Sequence, residues 1–193
     1  EKKENSKPVT DLVILSTFRL IKKEKKWSEV EFYDGRRGYV LTKEIKTMED
    51  WKKQKKPDGK KIISDAERFL GVPYFWGGLS GKMLDSSGLV QTVFRMNHIY
   101  LPRDASQQVF VGKDVPIDEE LSALIKGDLL FFGYFDSLNQ IERITHVGIY
   151  AGNLEYIHES VHVHYNSFDE NSPIYNENAY KTLRAARRIL EEE

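Results

Sequence analysis

The 193-residue chain contains no cysteine, only three methionines and only six prolines. Without cysteine there is no disulfide framework, no thiolate zinc site and no thiol nucleophile. No stretch approaches the ~18 uninterrupted apolar residues of a membrane-spanning helix. The first seven residues, Glu-Lys-Lys-Glu-Asn-Ser-Lys, lack the apolar segment of a signal peptide. Because no initiator Met precedes them, the chain reads as a processed or trimmed product whose targeting segment, if any, has gone. Repeats and low-complexity tracts are absent too. What is present suffices for a core: 40% of residues are hydrophobic and 12% aromatic, too apolar a composition for a disordered chain. The length fits one domain, or one domain with a small companion.

The net charge of −1 conceals two segments of opposite character. Residues 1–61 carry 18 Lys and Arg against 11 Asp and Glu, whereas residues 62–193 carry 11 against 19. The basic part suits an anionic surface such as cell-wall polymer, or is simply a solvated Lys-rich face. Within it, Leu12–Leu15, Phe18–Ile21 and the alternating Trp27–Phe32 read as strands, Asp34-Gly35 as a hairpin turn and Arg37–Val40 as the return strand. The order of Trp27, Val30, Asp34-Gly35 and Gly38-Tyr39-Val40 is similar to the second half of a bacterial SH3-like domain. Residues 9–46 are therefore expected to form a shortened SH3-like β segment, and the polar stretch 47–61, with Pro57 and Gly59, a linker.

From residue 62 the pattern changes. Ser64 followed by Glu67 has the spacing of a capping box, and Gly71 closes a short helix. Asp85 is the expected N-cap of a second helix, along which Leu89, Val90, Val93 and Phe94 recur at helical spacing. Gly88 falls in its first turn, where a missing side chain allows close approach, and Ser86 falls at its N-terminus. Three apolar strands follow, Leu129–Phe132, His146–Tyr150 and Tyr156–His158 running on into Val161–Tyr165, with Gly152-Asn153 as a hairpin turn. Helices first and an antiparallel sheet afterwards indicate an α+β domain over residues 62–193.

Several separated motifs bear on chemistry: Pro73-Tyr74-Phe75-Trp76-Gly77-Gly78, Asp85-Ser86-Ser87-Gly88-Leu89-Val90, Leu101-Pro102-Arg103-Asp104, Gly127-Asp128-Leu129-Leu130-Phe131-Phe132, Thr145-His146-Val147-Gly148-Ile149-Tyr150 and Ile157-His158. Together they resemble the NlpC/P60 family of papain-like cysteine peptidases, which cut bacterial peptidoglycan peptides. The family's motif at the helix start is Asp-Cys-Ser-Gly, so Ser86 occupies the position of the nucleophile. Ser167-Phe168-Asp169, Ser172-Pro173 and Ala186–Leu190 resemble the subgroup of γ-D-glutamyl-L-diamino acid endopeptidases, or dipeptidyl-peptidase VI.

The resemblance implies an α+β, papain-like NlpC/P60 fold, with N-terminal helices packed on an antiparallel sheet. It implies hydrolysis of the bond between γ-D-Glu and an L-diamino acid, Lys or diaminopimelate, in peptides with a free N-terminal L-Ala. His146 would be the general base and His158, twelve residues on across a hairpin, would orient its ring. Tyr74 and Trp76 would line the cleft. Asp85, besides capping the helix, would receive the substrate amine together with Asp104 and Ser87, while Ala105 stands where the subgroup more often has Ser.

A thiol of pKa ~8.5 is ionised near neutral pH by a helix N-terminus and a protonated His. A serine hydroxyl is not, and depends on His146 to remove its proton during attack. The chain as written is therefore expected to be an inactive Cys-to-Ser form of a peptidase. Three alternatives remain at this point: a muropeptide-binding protein without catalysis, a natural Ser-His enzyme and a related papain-like acyltransferase. His158, His162 and His164 lie close in sequence and His162 and His164, two apart, share a strand face, yet no firm third ligand at a standard spacing supports a metal site. Gly77–Lys82 lacks the spacing of a phosphate-binding loop. The expected protein is a monomer that needs no cofactor, binds peptidoglycan-derived peptides and no nucleic acid, and works at the cell envelope or in cytoplasmic muropeptide recycling.

Overall fold

The computed structural model describes residues 2–3 and 5–191. They fall into two compact units, Glu1–Lys55 and Lys56–Glu193. In the first, β1 (Arg19–Lys22), β2 (Trp27–Glu31) and β3 (Arg37–Leu41) form an antiparallel sheet in that order. Ser28 and Val30 are its buried residues, alternating with half-buried neighbours on β2. The β2–β3 turn closes with Phe32 N–H donating to Arg36 O at 2.9 Å, and Gly35 supplies the left-handed φ of 79° that a side chain disfavours. Leu12–Leu15 is not a strand. Leu15 turns to φ 67°, and Ser16 both donates its N–H to Val13 O and accepts the Val13 N–H on Oγ, each at 3.1 Å. A local side-chain bond thus replaces a strand partner.

The stretch 47–61 is helical at both ends rather than irregular. A short helix α1 (Met48–Lys52) is capped by Thr47, which accepts the Asp50 N–H at 3.0 Å. The next, α2 (Gly59–Glu67), starts at Asp58, whose carboxylate accepts the Lys61 N–H at 2.8 Å. Ser64 is an exposed residue inside α2, so the expected capping box does not form. Asp58 is itself a strong N-cap, and starting there places Ile62, Ile63 and Ala66 on one buried face.

Two short strands, β4 (Leu79–Ser80) and β5 (Met83–Leu84), pair ahead of helix α3 (Ser86–Met96) and the short α4 (Ala105–Gln108). The main sheet comprises β6 (Lys113–Asp114), β7 (Leu129–Asp136), β8 (Ile141–Gly152), β9 (Glu155–Glu159), β10 (Val163–Ser167) and, after helix α5 (Ala179–Thr182), β11 (Leu183–Arg188). Its order is β10-β9-β8-β7-β11-β6, antiparallel throughout. This is the α+β arrangement expected for residues 62–193, although neither β6 nor β11 reads as a strand in the sequence.

Strand pleating sorts the sheet's side chains onto two faces. Leu130, Phe132, Tyr150 and Tyr156 join one buried cluster with Phe168, Leu183 and Ala186. Leu129, Phe131, Val147, Ile149 and Ile157, at the alternate strand positions, are fully buried on the opposite face, where α3 lies across β8 and β9 and α2 packs beside it. Among the described residues no helix is long and apolar enough to cross a membrane.

Candidate active site

Asp85 shapes the start of α3. It is the N-cap, with Oδ1 accepting the Gly88 N–H at 2.7 Å, while Oδ2 accepts the Gly77 N–H at 2.8 Å. Gly88 lets the preceding chain close in, since a Cβ there would lie 2.1 Å from Gly78 O. Ser86 is the first helical residue and is 8% exposed. Among the described residues its hydroxyl has no hydrogen-bond partner, and no backbone bond ends on the Ser86 or Ser87 amides. The first turn therefore presents unpaired N–H donors around Ser86, the electrostatic setting in which an anion is stabilised.

Asp85 is also engaged by a cation. Arg103 Nη1 donates to Oδ1 at 3.0 Å and Nη2 to Oδ2 at 2.5 Å, with Nη1 reaching Ser87 Oγ at 2.9 Å. Burial opposes ionisation of Asp85, but Arg103 and the Gly88 and Gly77 amides outweigh it and hold the carboxyl below its ordinary pKa. Tyr74 lies in this neighbourhood. Burial raises its pKa first, followed by the charges of Asp85 and Glu159. Its backbone N–H donates to Val161 O at 2.9 Å. Trp76 projects into solvent at 82% exposure. Asp104 is exposed and is the N-cap of α4, its carbonyl accepting the Gln107 N–H at 2.9 Å and its own N–H donating to Gln107 Oε1 at 3.4 Å.

The histidines form a second group. His146 Nε2 lies 2.7 Å from His158 Nδ1, and His158 Nε2 lies 2.9 Å from Asn166 Oδ1. Gly148 stands directly opposite His158 in the register, and a Cβ there would meet His158 Cβ at 3.2 Å and Tyr156 Cδ2 at 3.1 Å. The absence of that side chain lets the His158 ring reach diagonally to His146. Burial, then the charge of His164, pushes the His146 pKa well below its usual range. Burial does the same to His158, reinforced by His146 and His164. A cavity of about 310 Å³ opens beside the pair, lined in part by Phe132, Thr145, Tyr156 and Asn176.

The structure thus joins His146 to His158, and Asp85 to Ser87 and Arg103. Among the described residues no hydrogen bond or ion pair links these two groups, and Ser86 is not among the residues lining the cavity. Two participants escaped the sequence reading. Arg103 sits within a quoted motif, but a charged loop residue carries no mark of a buried partner. Glu159 reads as a strand-end surface acid. Its side chain is 0% exposed and, among the described residues, neither carboxylate oxygen has a hydrogen-bond partner.

An α+β fold with helices on one face of an antiparallel sheet, a helix start presenting Ser86 and a histidine pair on adjacent strands define the class of papain-like hydrolase folds. The model of the NlpC/P60 family matches residues 71–185. The chain belongs to that family. It is similar to a gamma-D-glutamyl-L-lysine dipeptidyl-peptidase of Bacillus subtilis, 35% identical over 156 residues that cover 81% of this chain and 49% of that protein. It is also similar to dipeptidyl-peptidase 6 of Lysinibacillus sphaericus, 29% identical over 82% of this chain and 55% of that protein. The crystal structure of an NlpC/P60 family protein from Bacillus cereus superposes with a TM-score of 0.70 at 27% identity, covering 90% of this chain and 54% of the other. The chain spans about half the length of the curated relatives it matches.

Proposed function

We propose that residues 56–193 form a peptidoglycan stem-peptide hydrolase unit, directed at the γ-D-Glu to L-diamino acid bond of peptides with a free N-terminal L-Ala. In this reading Ser86 holds the position of the family's nucleophilic Cys, and the chain as it stands has little or no peptidase activity. The observation that carries the reading is the His146 Nε2 to His158 Nδ1 hydrogen bond. It leaves His146 Nδ1 available for the nucleophile and gives the ring the orienting partner that triad logic requires. Support also comes from Ser86, which stands at the N-terminus of α3; that helix packs on β8 and β9, on the face opposite to that of His158.

With a thiolate at position 86, sulfur attacks the γ-carbonyl carbon and the amide nitrogen leaves with a proton from His146. Water then adds to the thioester, gives a proton back to His146 and frees the acid. First-turn amides hold the oxyanion. With serine, attack requires His146 to take a proton while its basicity is depressed by burial, which argues against turnover. The same depression, and a Ser86 hydroxyl without a partner among the described residues, favour a second reading: a muropeptide-binding protein without catalysis. Residues 9–46 would be a shortened SH3-like segment whose basic surface faces the wall polymer, and the protein would work at the cell envelope as a monomer.

The test compares this chain with Ser86→Cys on L-Ala-γ-D-Glu-L-Lys and on its N-acetylated form. Cleavage of the free-amine peptide alone by the variant is the expected result. A variant that binds the peptide yet never cuts it refutes the hydrolase reading and leaves the binding one.

A further inference from the structure

Among the described residues, Glu159 is a fully buried acid whose environment the fold itself does not explain. It ends β9, pairs across the register with Val163 and lies on the sheet face opposite to that of its neighbour His158. That face carries α3, at whose start Asp85 sits. A carboxyl that is 0% exposed ordinarily pairs with a cation or a set of amide donors. Glu159 has neither among the described residues. Arg103, the cation nearest in role, is committed to both oxygens of Asp85 and to Ser87. The charged and titratable groups that Glu159 senses come from two elements: Asp85 at the N-terminus of α3, and Tyr74 in the segment that bonds to Val161 two residues beyond it.

We propose that Glu159 is the amine-sensing acid of the substrate site: its buried, unpartnered carboxyl on β9 faces a peptide ammonium group that docks between Tyr74 and Asp85, and so discriminates free from blocked N-termini. The inference rests on the peptide-hydrolase reading above and assigns that site a specificity residue. Because Asp85 is neutralised by Arg103, it offers an arriving ammonium ion little net charge. Asp104 is exposed and screened. A buried carboxyl attracts a nearby cation through a poorly screened interior without touching it. The balance is simple: Glu159 carboxylic acid and peptide ammonium become a carboxylate facing the ammonium, and one proton goes to solvent. An N-acetylated peptide brings no charge and leaves the acid neutral. Burial, then the Asp85 charge, raises the Glu159 pKa to about 7, consistent with a group neutral at mildly acidic pH.

Titration calorimetry of the Ser86 chain tests this with L-Ala-γ-D-Glu-L-Lys and its N-acetylated form, at pH 6 in two buffers of different ionisation enthalpy. The expected result is release approaching one proton per free-amine peptide at pH 6, fading by pH 8.5, with no release for the N-acetylated form. Glu159→Gln is expected to abolish release and to lower the preference for the free amine on the order of tenfold, since each pKa unit a cation removes is a factor of ten in its binding. Proton release in the unaltered chain needs no variant and stands if Glu159→Gln folds poorly. Binding of the free-amine peptide without release, or an unchanged preference in Glu159→Gln, overturns the assignment and leaves the peptide reading intact. Failure of the unaltered chain to bind either peptide overturns both.

Discussion

Arg103 and Asp85 form a bidentate pair, the two terminal guanidinium nitrogens lying 3.0 and 2.5 Å from the two carboxylate oxygens. The pair ties the loop before α4 to the first turn of α3, and through Ser87 Oγ to the residue after Ser86. Arg103→Met is expected to cost about 2 kcal/mol at pH 7, below the usual loss for a fully buried pair because the Arg103 side chain is 30% exposed. The Asp85 carboxyl is depressed in the folded state, so its contribution is present above the ordinary carboxylate pKa and disappears as pH falls through the depressed value. Denaturation curves at pH 7 and pH 3 check this. The gap between the unaltered chain and the variant should narrow at the lower pH, and an equal gap at both would contradict it.

Gly88 fixes how closely the loop at Gly78 approaches α3. Alanine there would place Cβ 2.1 Å from Gly78 O and 2.9 Å from Asp85 Oδ1. Neither backbone has room to yield without breaking the Asp85 cap, so Gly88→Ala should destabilise the unit by roughly 3 kcal/mol despite alanine's better helix propensity. Thermal unfolding measures it, and a stabilised variant would show that the approach relaxes easily.

His164 continues the histidine row on the same face. It pairs directly with His158 in the β9–β10 register, with ring centroids 4.6 Å apart. Its charge lowers both His146 and His158. His164→Gln should therefore raise the apparent pKa of both rings by some tenths of a unit to about one unit. Imidazole proton resonances followed from pH 3 to pH 8 report this directly, without any need for activity. Unmoved titration curves would remove His164 from the electrostatics of the pair.

Much of this was legible in the sequence where one local rule dominated. Asp85 as N-cap, Gly88 as a close-approach residue and the Leu129–Phe132 and His146–Tyr150 strands follow from capping chemistry and apolar runs. What escaped depends on distant partners. Leu183–Arg188, Leu-Arg-Ala-Ala-Arg-Arg, lacks the apolar alternation of a strand, yet β11 lies inside the sheet, where Arg188 finds Asp128, with Nε and Nη2 each 2.9 Å from its carboxylate. Asp58 displaced Ser64 as a cap because the buried face of α2 requires an earlier start. Glu159 was invisible for a related reason: alternation along a strand tells which face a residue takes, not what waits there.

The pH profile of stability isolates that residue. Glu159 titrates at about 7 in the folded protein against an ordinary value of 4.5, so the folded state holds the proton more tightly. Its contribution is complete below about 4.5 and is lost as pH rises through 7, where a buried carboxylate must be tolerated. His146 and His158 act in the opposite sense. Held neutral by burial, they favour the folded state above the ordinary imidazole pKa of about 6.5 and weaken it as pH falls below that. Stability of the unaltered chain should therefore decline on both sides of a maximum between about pH 6 and 7. Glu159→Gln should flatten the alkaline side and steepen the acid decline, gaining on the order of 2–3 kcal/mol relative to the unaltered chain between pH 5 and pH 8.5. Urea unfolding at four or five pH values decides the matter. An alkaline decline that persists in Glu159→Gln would mean that the carboxyl finds a cation or solvent in the folded state and does not carry its proton at neutral pH.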